Sequence, residues 1–397
     1  VTNHRFLDAP EVRDVVTDHC PFLPVFGAPA VMFVRGEGTQ LWDVDGKRYL
    51  DFLSGIAVTS LGHAHPGVAR AIADQAQRLL HVSNFFANPV AARAAVMVDE
   101  LLGGGGQVFF CNSGAEANEA AIKLARKFGG RSRHRVVSML GSFHGRTLAA
   151  LAATGQPAKH EPFQPMPEGF AHVPFGDIDA LDRAVDASVA AVLLECVQGE
   201  GGVIVADDDY LRAARRLCTE RGALLVIDEV QTGFARTGVW FAFQHAGIEP
   251  DAVTLAKAMG NGVPVGALWA RREVGAVFAP GDHGSTYSGT ALATSAVIAV
   301  IEAMRELNAP QRARDMGALL SDRLRRVPGV VHVRGRGLLL GVELGPNADA
   351  KHVVAALLER GLVANAVTAT AVRLAPPITV SVAEVDEAVG IIAEVLA

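Results

Sequence analysis

The sequence predicts an α/β protein, a large domain with a mostly parallel sheet covered by helices, joined to a smaller α+β domain. Three observations carry that expectation. Short continuous Val/Ile/Leu runs recur through the middle of the chain, stretches of helical period separate them, and nearly every run ends in a polar cluster. Strands hydrophobic on both sides belong in a sheet covered on both faces, and alternation with helices makes such a sheet parallel.

In chain order, residues 1 to about 60 hold Pro10, Pro21, Pro24 and Pro29, then the alternating pieces Gln40-Leu-Trp-Asp-Val and Tyr49-Leu-Asp-Phe-Leu. This reads as an irregular arm followed by a small hairpin. From Pro66 the pattern becomes helical over 66–80, 91–102, 115–128, 208–221 and 291–305. The apolar runs between are Val108-Phe-Phe-Cys, Val136-Val-Ser-Met, Val189-Ala-Ala-Val-Leu-Leu, Ala223-Leu-Leu-Val-Ile and Ala252-Val-Thr-Leu. The glycine run Gly103 to Gly106 is a loop. Beyond residue 306 come another helix, the stretch Val330 to Leu344 with turn glycines Gly335 and Gly337, and two helices flanking Ala371-Val-Arg-Leu. The expected division is 1–60 (arm and part of the small domain), 61–305 (large domain) and 306–397 (the rest of the small domain).

Composition narrows the class. At about 150 residues per domain, a chain of 397 residues has room for two or three, and 50% hydrophobic content builds a substantial core. The 36 basic and 42 acidic side chains nearly balance, at a formal charge of -6, and no Lys/Arg-rich run offers a nucleic-acid footprint. A mean hydropathy of +0.26 argues against disorder. Cys20, Cys111, Cys196 and Cys218 are scattered, without a C-x-x-C pair, so no zinc site or disulfide framework is expected and a reducing cytoplasm is the simplest home. No apolar run reaches the roughly 18 residues of a membrane span, and no basic segment followed by an apolar one suggests an export signal.

The polar clusters are the informative feature. Cys111 leads into Asn112-Ser-Gly-Ala-Glu, Leu140 into Gly141-Ser-Phe-His-Gly-Arg146, Leu194 into Glu195-Cys-Val-Gln-Gly-Glu200, Ile227 into Asp228-Glu-Val-Gln231, and Leu255 into Ala256-Lys257. In a parallel α/β sheet these positions line the carboxyl ends of the strands, where ligands bind. Ser113 with Glu116 has capping-box spacing and opens a helix; such an end is either a cap alone or, with Gly114 allowing close approach, a phosphate cradle. Asp228 either caps the next helix or presents a carboxylate from a central strand. Lys257, among apolar neighbours, either snorkels or is a desolvated, nucleophilic amine. The two lie about one βα unit apart and could face one pocket from neighbouring strands. An acid for a ring nitrogen, an imine-forming Lys and a phosphate cradle are the requirements of pyridoxal phosphate. Nucleotide-binding G-x-x-x-x-G-K-[ST], hydrolase G-x-S-x-G and metalloprotease H-E-x-x-H motifs are absent, which weakens those classes. A non-catalytic binding protein on the same fold remains as the rival of another class.

The ordered set Asn112-Ser-Gly-Ala-Glu-Ala-Asn118, Phe143-His-Gly-Arg146, Gln198-Gly-Glu-Gly-Gly202, Leu225-Val-Ile-Asp-Glu-Val-Gln-Thr-Gly-Phe-Ala-Arg-Thr-Gly238, Pro250-Asp-Ala-Val-Thr-Leu-Ala-Lys257 and His283-Gly-Ser-Thr286 resembles class III (ornithine-type) pyridoxal-phosphate aminotransferases. The resemblance runs from about Gly36 through Pro377. Gly55-Ile-Ala-Val-Thr-Ser-Leu-Gly-His63, Gly155-Gln-Pro-Ala-Lys159 and Arg334-Gly-Arg-Gly-Leu-Leu-Leu-Gly341 are similar to its acetylornithine-type members.

The resemblance implies a fold type I PLP-dependent transferase, its small domain drawn from both chain ends. It implies a homodimer with a shared active site and amino-group transfer from N2-acetyl-L-ornithine to 2-oxoglutarate; ornithine, succinylornithine and 4-aminobutyrate are alternative donors. By the same resemblance Lys257 holds the cofactor and moves the proton, Asp228 pairs with the ring nitrogen, Gln231 bonds the ring's phenolic oxygen and Phe143 stacks on the ring. Ser113, Gly114 and Ala115 receive the phosphate, with Thr286 of a second subunit. Arg373 takes the α-carboxylate of glutamate or 2-oxoglutarate, Glu200 masks Arg373 for the other substrate, and Arg146, with Ser285 nearby, holds the acetylornithine carboxylate. No metal is expected. Two departures stand near the site: Tyr287-Ser-Gly-Thr-Ala291 where the family usually reads Tyr-Gly-Gly-Asn-Pro, and Cys196 where Pro is common.

Overall fold

The computed structural model describes residues 23–27 and 29–397. Most of the expected N-terminal arm, with Pro10, Cys20 and Pro21, lies outside the described residues. The central sheet has seven strands in the spatial order Gly106–Cys111, Gly266–Arg271, Ala252–Leu255, Leu224–Asp228, Val189–Leu194, Arg135–Met139, Phe170–Val173. Six are parallel; Gly266–Arg271 runs antiparallel to both its neighbours.

Side-chain alternation sets the two faces. Leu224 and Val226 point to the same side as the helix Gly114–Gly129, whose Ala120, Ala121, Leu124 and Ala125 form one apolar stripe against them. Leu225 and Ile227 join the larger core on the other face. Small alanines let that helix lie close to the sheet, and each fully buried Leu or Ile is worth about 1.5–3 kcal/mol over leaving it exposed. Both faces are covered, so Val189–Leu194 is buried at every position. Asp207 caps the helix Asp208–Arg221 by accepting the N–H of Asp209, and Gly222 ends it with a left-handed φ of 65°.

Two smaller sheets flank the central one. In the first, Phe33–Glu37, Gln40–Asp43 and Arg48–Asp51 are joined by Leu362–Val363, which pairs in parallel with Arg48–Asp51 and so unites both ends of the chain. The second is antiparallel: Val330–Arg336, Leu339–Leu344, Ala371–Leu374 and Asn365–Ala366. Arg236 ties these regions together. Fully buried, it donates to Ser60 Oγ (2.7 Å) and to the carbonyls of Leu338 (3.0 Å) and Pro376. Burial pulls its pKa down to about 10.

The segment between Asp228 and Lys257 departs from the expected βα unit. The strands are parallel neighbours, with Val226 opposite Ala252, but an irregular loop and the 3-10 turn Ala242–Ala246 replace the helix. Glu229 organises this loop: its carboxyl accepts the N–H of Phe243 (2.9 Å) and the Thr232 hydroxyl (2.5 Å), and burial pushes its pKa up to about 7. Among the described residues no helix is long and apolar enough to cross a membrane.

Candidate active site

A cavity of about 360 Å3 opens at the carboxyl ends of the parallel strands. Ser113, Gly114, Ala115, Phe143, Arg146, Glu200, Asp228, Gln231 and Lys257 all line it. A roomier cleft of about 620 Å3 lies at the opposite end of the sheet. Three of its four arginines are engaged in ion pairs, Arg212 with Asp209, Arg215 with Asp251 and Arg271 with Glu249, and it holds no comparable constellation.

Asp228 ends a central strand with its carboxylate held from several sides. Oδ2 accepts from Asn118 Nδ2 (2.9 Å) and lies 2.8 Å from His144 Nδ1, while Oδ1 accepts the Val230 N–H (3.0 Å). A carboxylate accepts only, so His144 presents its proton on Nδ1. The imidazole and Asn118 are both buried. Asp228 is therefore not a helix cap; its orientation is fixed toward the cavity.

Lys257 follows the next strand and has a left-handed backbone, φ 49°, at the start of the 3-10 turn Lys257–Gly260. Such a φ is uncommon for a long side chain, and here it turns the amine back over the strand ends. Burial first, and then the charge of Arg373, pull its pKa down to about 8, against Glu200, Asp228 and Glu195, which act to raise it. At pH 7 roughly a tenth of such an amine is neutral and nucleophilic.

The helix Gly114–Gly129 points its N-terminus at the cavity. Ser113 Oγ caps it through the N–H of Glu116 (3.2 Å). The reciprocal half of the expected capping box is altered: Glu116 Oε2 reaches back to the N–H and side-chain amide of Asn112, not to Ser113. The N–H groups of Gly114 and Ala115, in the first turn, have no acceptor within the helix. A Cβ at Gly114 would meet Val230 at 2.7 Å, and Gly145, at φ 142°, passes so close to Ala115 that a Cβ would lie 2.8 Å from its methyl. Both glycines keep this end of the helix close to the wall of the cavity.

Arg373 is fully buried on the strand Ala371–Leu374 of the second small sheet. Its Nε donates to Asn365 Oδ1 (3.1 Å), and its Nη1 to Glu200 Oε1 (2.6 Å) and Gln231 Oε1 (3.2 Å), whereas buried Nη2 has no partner. That unpaired donor beside a displaceable carboxylate fits an incoming carboxylate, because a guanidinium fork pairs with one bidentately. Burial would raise the Glu200 pKa, but the charge and hydrogen bond of Arg373 outweigh it and the carboxyl lies below its ordinary value.

The remaining expected residues lie at the rim. Ser285 accepts from Asn112 Nδ2 (3.3 Å) and contacts Ser288 Oγ (2.7 Å), while Thr286 is exposed and does not line the cavity of its own chain. Of the sequence departures, Thr290 caps the helix Ala291–Glu306 through the N–H of Ala293, a task at which Asn and Thr are both competent. Cys196 is buried, and burial raises its thiol well above the ordinary range, which makes it inert.

Asn118, His144 and Glu195 are site residues to which the sequence assigns no task. Glu195 accepts the Phe143 N–H (3.0 Å), which fixes the backbone beneath that ring, and burial and then Asp228 push its pKa well above the usual carboxylate value. Their signal was position alone: His144 lies inside Phe143-His-Gly-Arg146, and Glu195 directly follows a strand.

Residues 26–396 match the family model Aminotransferase class-III. The chain is 46% identical to an acetylornithine aminotransferase of Methanothermobacter thermautotrophicus over 370 residues, 92% of this chain and 94% of that one. Among solved structures it is similar to the ornithine aminotransferase of Toxoplasma gondii, in which PLP partially occupies the active site (TM-score 0.92, 33% identity, 97% of this chain and 96% of that one). It is likewise similar to the acetylornithine aminotransferase of Elizabethkingia anophelis (TM-score 0.84, 31% identity, 97% of each chain).

Proposed function

The chain belongs to the class-III aminotransferases, and from that premise we propose that it transfers the terminal amino group of N2-acetyl-L-ornithine to 2-oxoglutarate, with pyridoxal 5'-phosphate as cofactor. The products are N-acetyl-L-glutamate 5-semialdehyde and L-glutamate. The observation that carries this reading is the buried Arg373, with one donor free and another on Glu200, placed directly behind Glu200 and Gln231 of the cavity that holds Lys257 and Asp228. It supports a site that opens for a dicarboxylic partner and closes its charge for another amine.

The donor set fits the cofactor. An amine with a depressed pKa suits its aldehyde, an oriented carboxylate suits its ring nitrogen, and free N–H groups at a helix N-terminus suit its phosphate. When bound, pyridoxal phosphate supplies a ring that draws off the electron pair left as a C–H bond of the amine substrate breaks. The protein does the rest. Lys257 would hold the cofactor, and its amine would serve as the base for the proton on the substrate carbon beside the reacting nitrogen. Asp228, fixed by His144 and Asn118, would keep a proton on the ring nitrogen; Gln231 would donate to the phenolic oxygen, and Phe143 would cover the ring. Ser113, Gly114 and Ala115 receive the phosphate. Arg373 binds the α-carboxylate of glutamate or 2-oxoglutarate, Glu200 masks it for acetylornithine, and Arg146, with Ser285 nearby, receives the carboxylate of that donor.

The assembly in this reading is a homodimer in which Thr286 of the second copy completes the phosphate site. Phe85 (93% exposed), Phe86 and Tyr287 (61% exposed) support it: the chain around Asn84 bonds Ser285, His81 packs on Tyr287, and together they form an apolar surface suited to burial. A reducing cytoplasm suits the free, buried Cys111, Cys196 and Cys218.

The test is an amine-donor panel with 2-oxoglutarate as acceptor. Acetylornithine should give the highest kcat/KM, ahead of ornithine, succinylornithine and 4-aminobutyrate. Equal or better turnover of 4-aminobutyrate overturns the substrate while leaving the reaction class intact.

A further inference from the structure

One cation beside the cavity has no task in the reading above. Lys159 sits on the short turn Pro157–His160, half-buried, with its Nζ 5.1 Å from the centroid of the Phe143 ring. The guanidinium carbon of Arg146 lies 5.8 Å from the same centroid. The two cations thus share one aromatic ring of the active site.

The position of Lys159 is built. Gln156 Nε2 donates to Ser142 O (2.9 Å), Gly155 N to Ser142 Oγ (3.0 Å), and His144 N to Thr154 Oγ1 (2.9 Å). His160 Nε2 lies 2.7 Å from Thr154 O, and Lys159 N donates to Gln156 O. The turn carrying Lys159 is therefore bolted to Ser142 and His144, the residues on either side of Phe143. A surface lysine held only by water has no such framework.

Charge balance supplies the second argument. Burial, then Arg146, lower the Lys159 pKa, while Glu200 raises it, so Lys159 lies within the field of both. Arg373, Lys257 and Lys159 act on Glu200, and Arg146 acts on Lys159; the facing carboxylates are Glu200, engaged by Arg373, and Asp228, while burial pushes Glu195 toward its neutral form. The surplus of positive charge calls for an anion in addition to the carboxylate that Arg373 receives, and a dicarboxylic substrate carries one at its far end.

We propose that Lys159 is a substrate-binding residue that, together with Arg146, receives the distal carboxylate of the substrate and selects acceptors bearing a second carboxylate over monocarboxylic 2-oxo acids. The same pair receives the α-carboxylate of an N-acyl diamino acid, which lies far from its reacting amine. The proposal rests on the transamination reading and adds a determinant of specificity to it.

Lys159→Met, Lys159→Arg and the unaltered holoenzyme are compared with 2-oxoglutarate and with pyruvate as acceptors. Lys159→Met should raise KM for 2-oxoglutarate about tenfold, the scale of one charge-assisted contact at a partly exposed site, with kcat and the KM for pyruvate little changed. Lys159→Arg should restore most of the selectivity. Glutarate, a non-reacting dicarboxylate titrated by calorimetry, should bind Lys159→Met more weakly by a similar factor. An active Lys159→Met with unchanged glutarate affinity, or with equal KM increases for both acceptors, overturns this inference alone. An unaltered enzyme that transaminates neither acceptor overturns the reading beneath it as well.

Discussion

If Glu200 masks Arg373 as proposed, its replacement by Gln should separate the two halves of the reaction. The substitution keeps the size of the side chain and removes the charge that faces Arg373 Nη1 at 2.6 Å. Arg373 is then left with neutral acceptors only, the amide oxygen of the new glutamine, Asn365 Oδ1 and Gln231 Oε1, and an unpaired Nη2 in a buried setting. A charge-assisted contact of this kind is worth about 1.5–3 kcal/mol, and because the Glu200 side chain is 30% exposed, solvent screening puts it near the low end, about 2 kcal/mol. That corresponds to roughly thirtyfold in an equilibrium constant. The sign differs between substrates. 2-Oxoglutarate should no longer have to displace a carboxylate and its KM should fall, whereas acetylornithine should meet an uncompensated guanidinium charge and its half-reaction should slow by up to that factor. Each half-reaction is followed separately by stopped-flow absorbance of the bound cofactor. Equal slowing of the two halves would refute the masking role of Glu200.

Four further outcomes are expected. The rate of cofactor loading should rise with pH through about 8 and then level off, because the reactive form of Lys257 is the neutral amine whose pKa burial has lowered; a midpoint near 10 in spectrophotometric titration would contradict it, and Lys257→Ala should abolish the visible band of the bound cofactor and reduce transamination by orders of magnitude. Light scattering should report twice the mass of one chain, and Thr286→Ala should weaken pyridoxal phosphate binding about tenfold without changing that mass; a monomer with full cofactor affinity would defeat the shared site.

The fold and the centre of the site were legible because their signals are local. Val189 to Leu194 is apolar at every position, which only a doubly covered strand explains, and polar residues after such strands fall on one edge by topology alone. Gly266–Arg271 escaped notice because it is an antiparallel strand in a sheet otherwise built of βα units, and the loop after Asp228 is organised by Glu229, whose partner Phe243 lies 14 positions away. His144 and Asn118 reach Asp228 across 84 and 110 positions, and Glu195 meets Phe143 across 52. No periodicity encodes such pairings; they exist only once the strands lie side by side.

Arg236 bears on how one pocket accommodates two partners. Its guanidinium bolts Ser60, Leu338 and Pro376 to the loop that follows Asp228, and Pro376 is two residues past the strand that carries Arg373. Breaking that fork would strand a buried charge, a penalty of several kcal/mol. In the proposed reading the arginine that receives the carboxylate is thereby tied to the loop after Asp228, so alternation between an exposed and a hidden charge would fall to the torsions of Glu200 rather than to the swing of a domain. Such a device would switch at side-chain speed and leave the reacting atoms where they were.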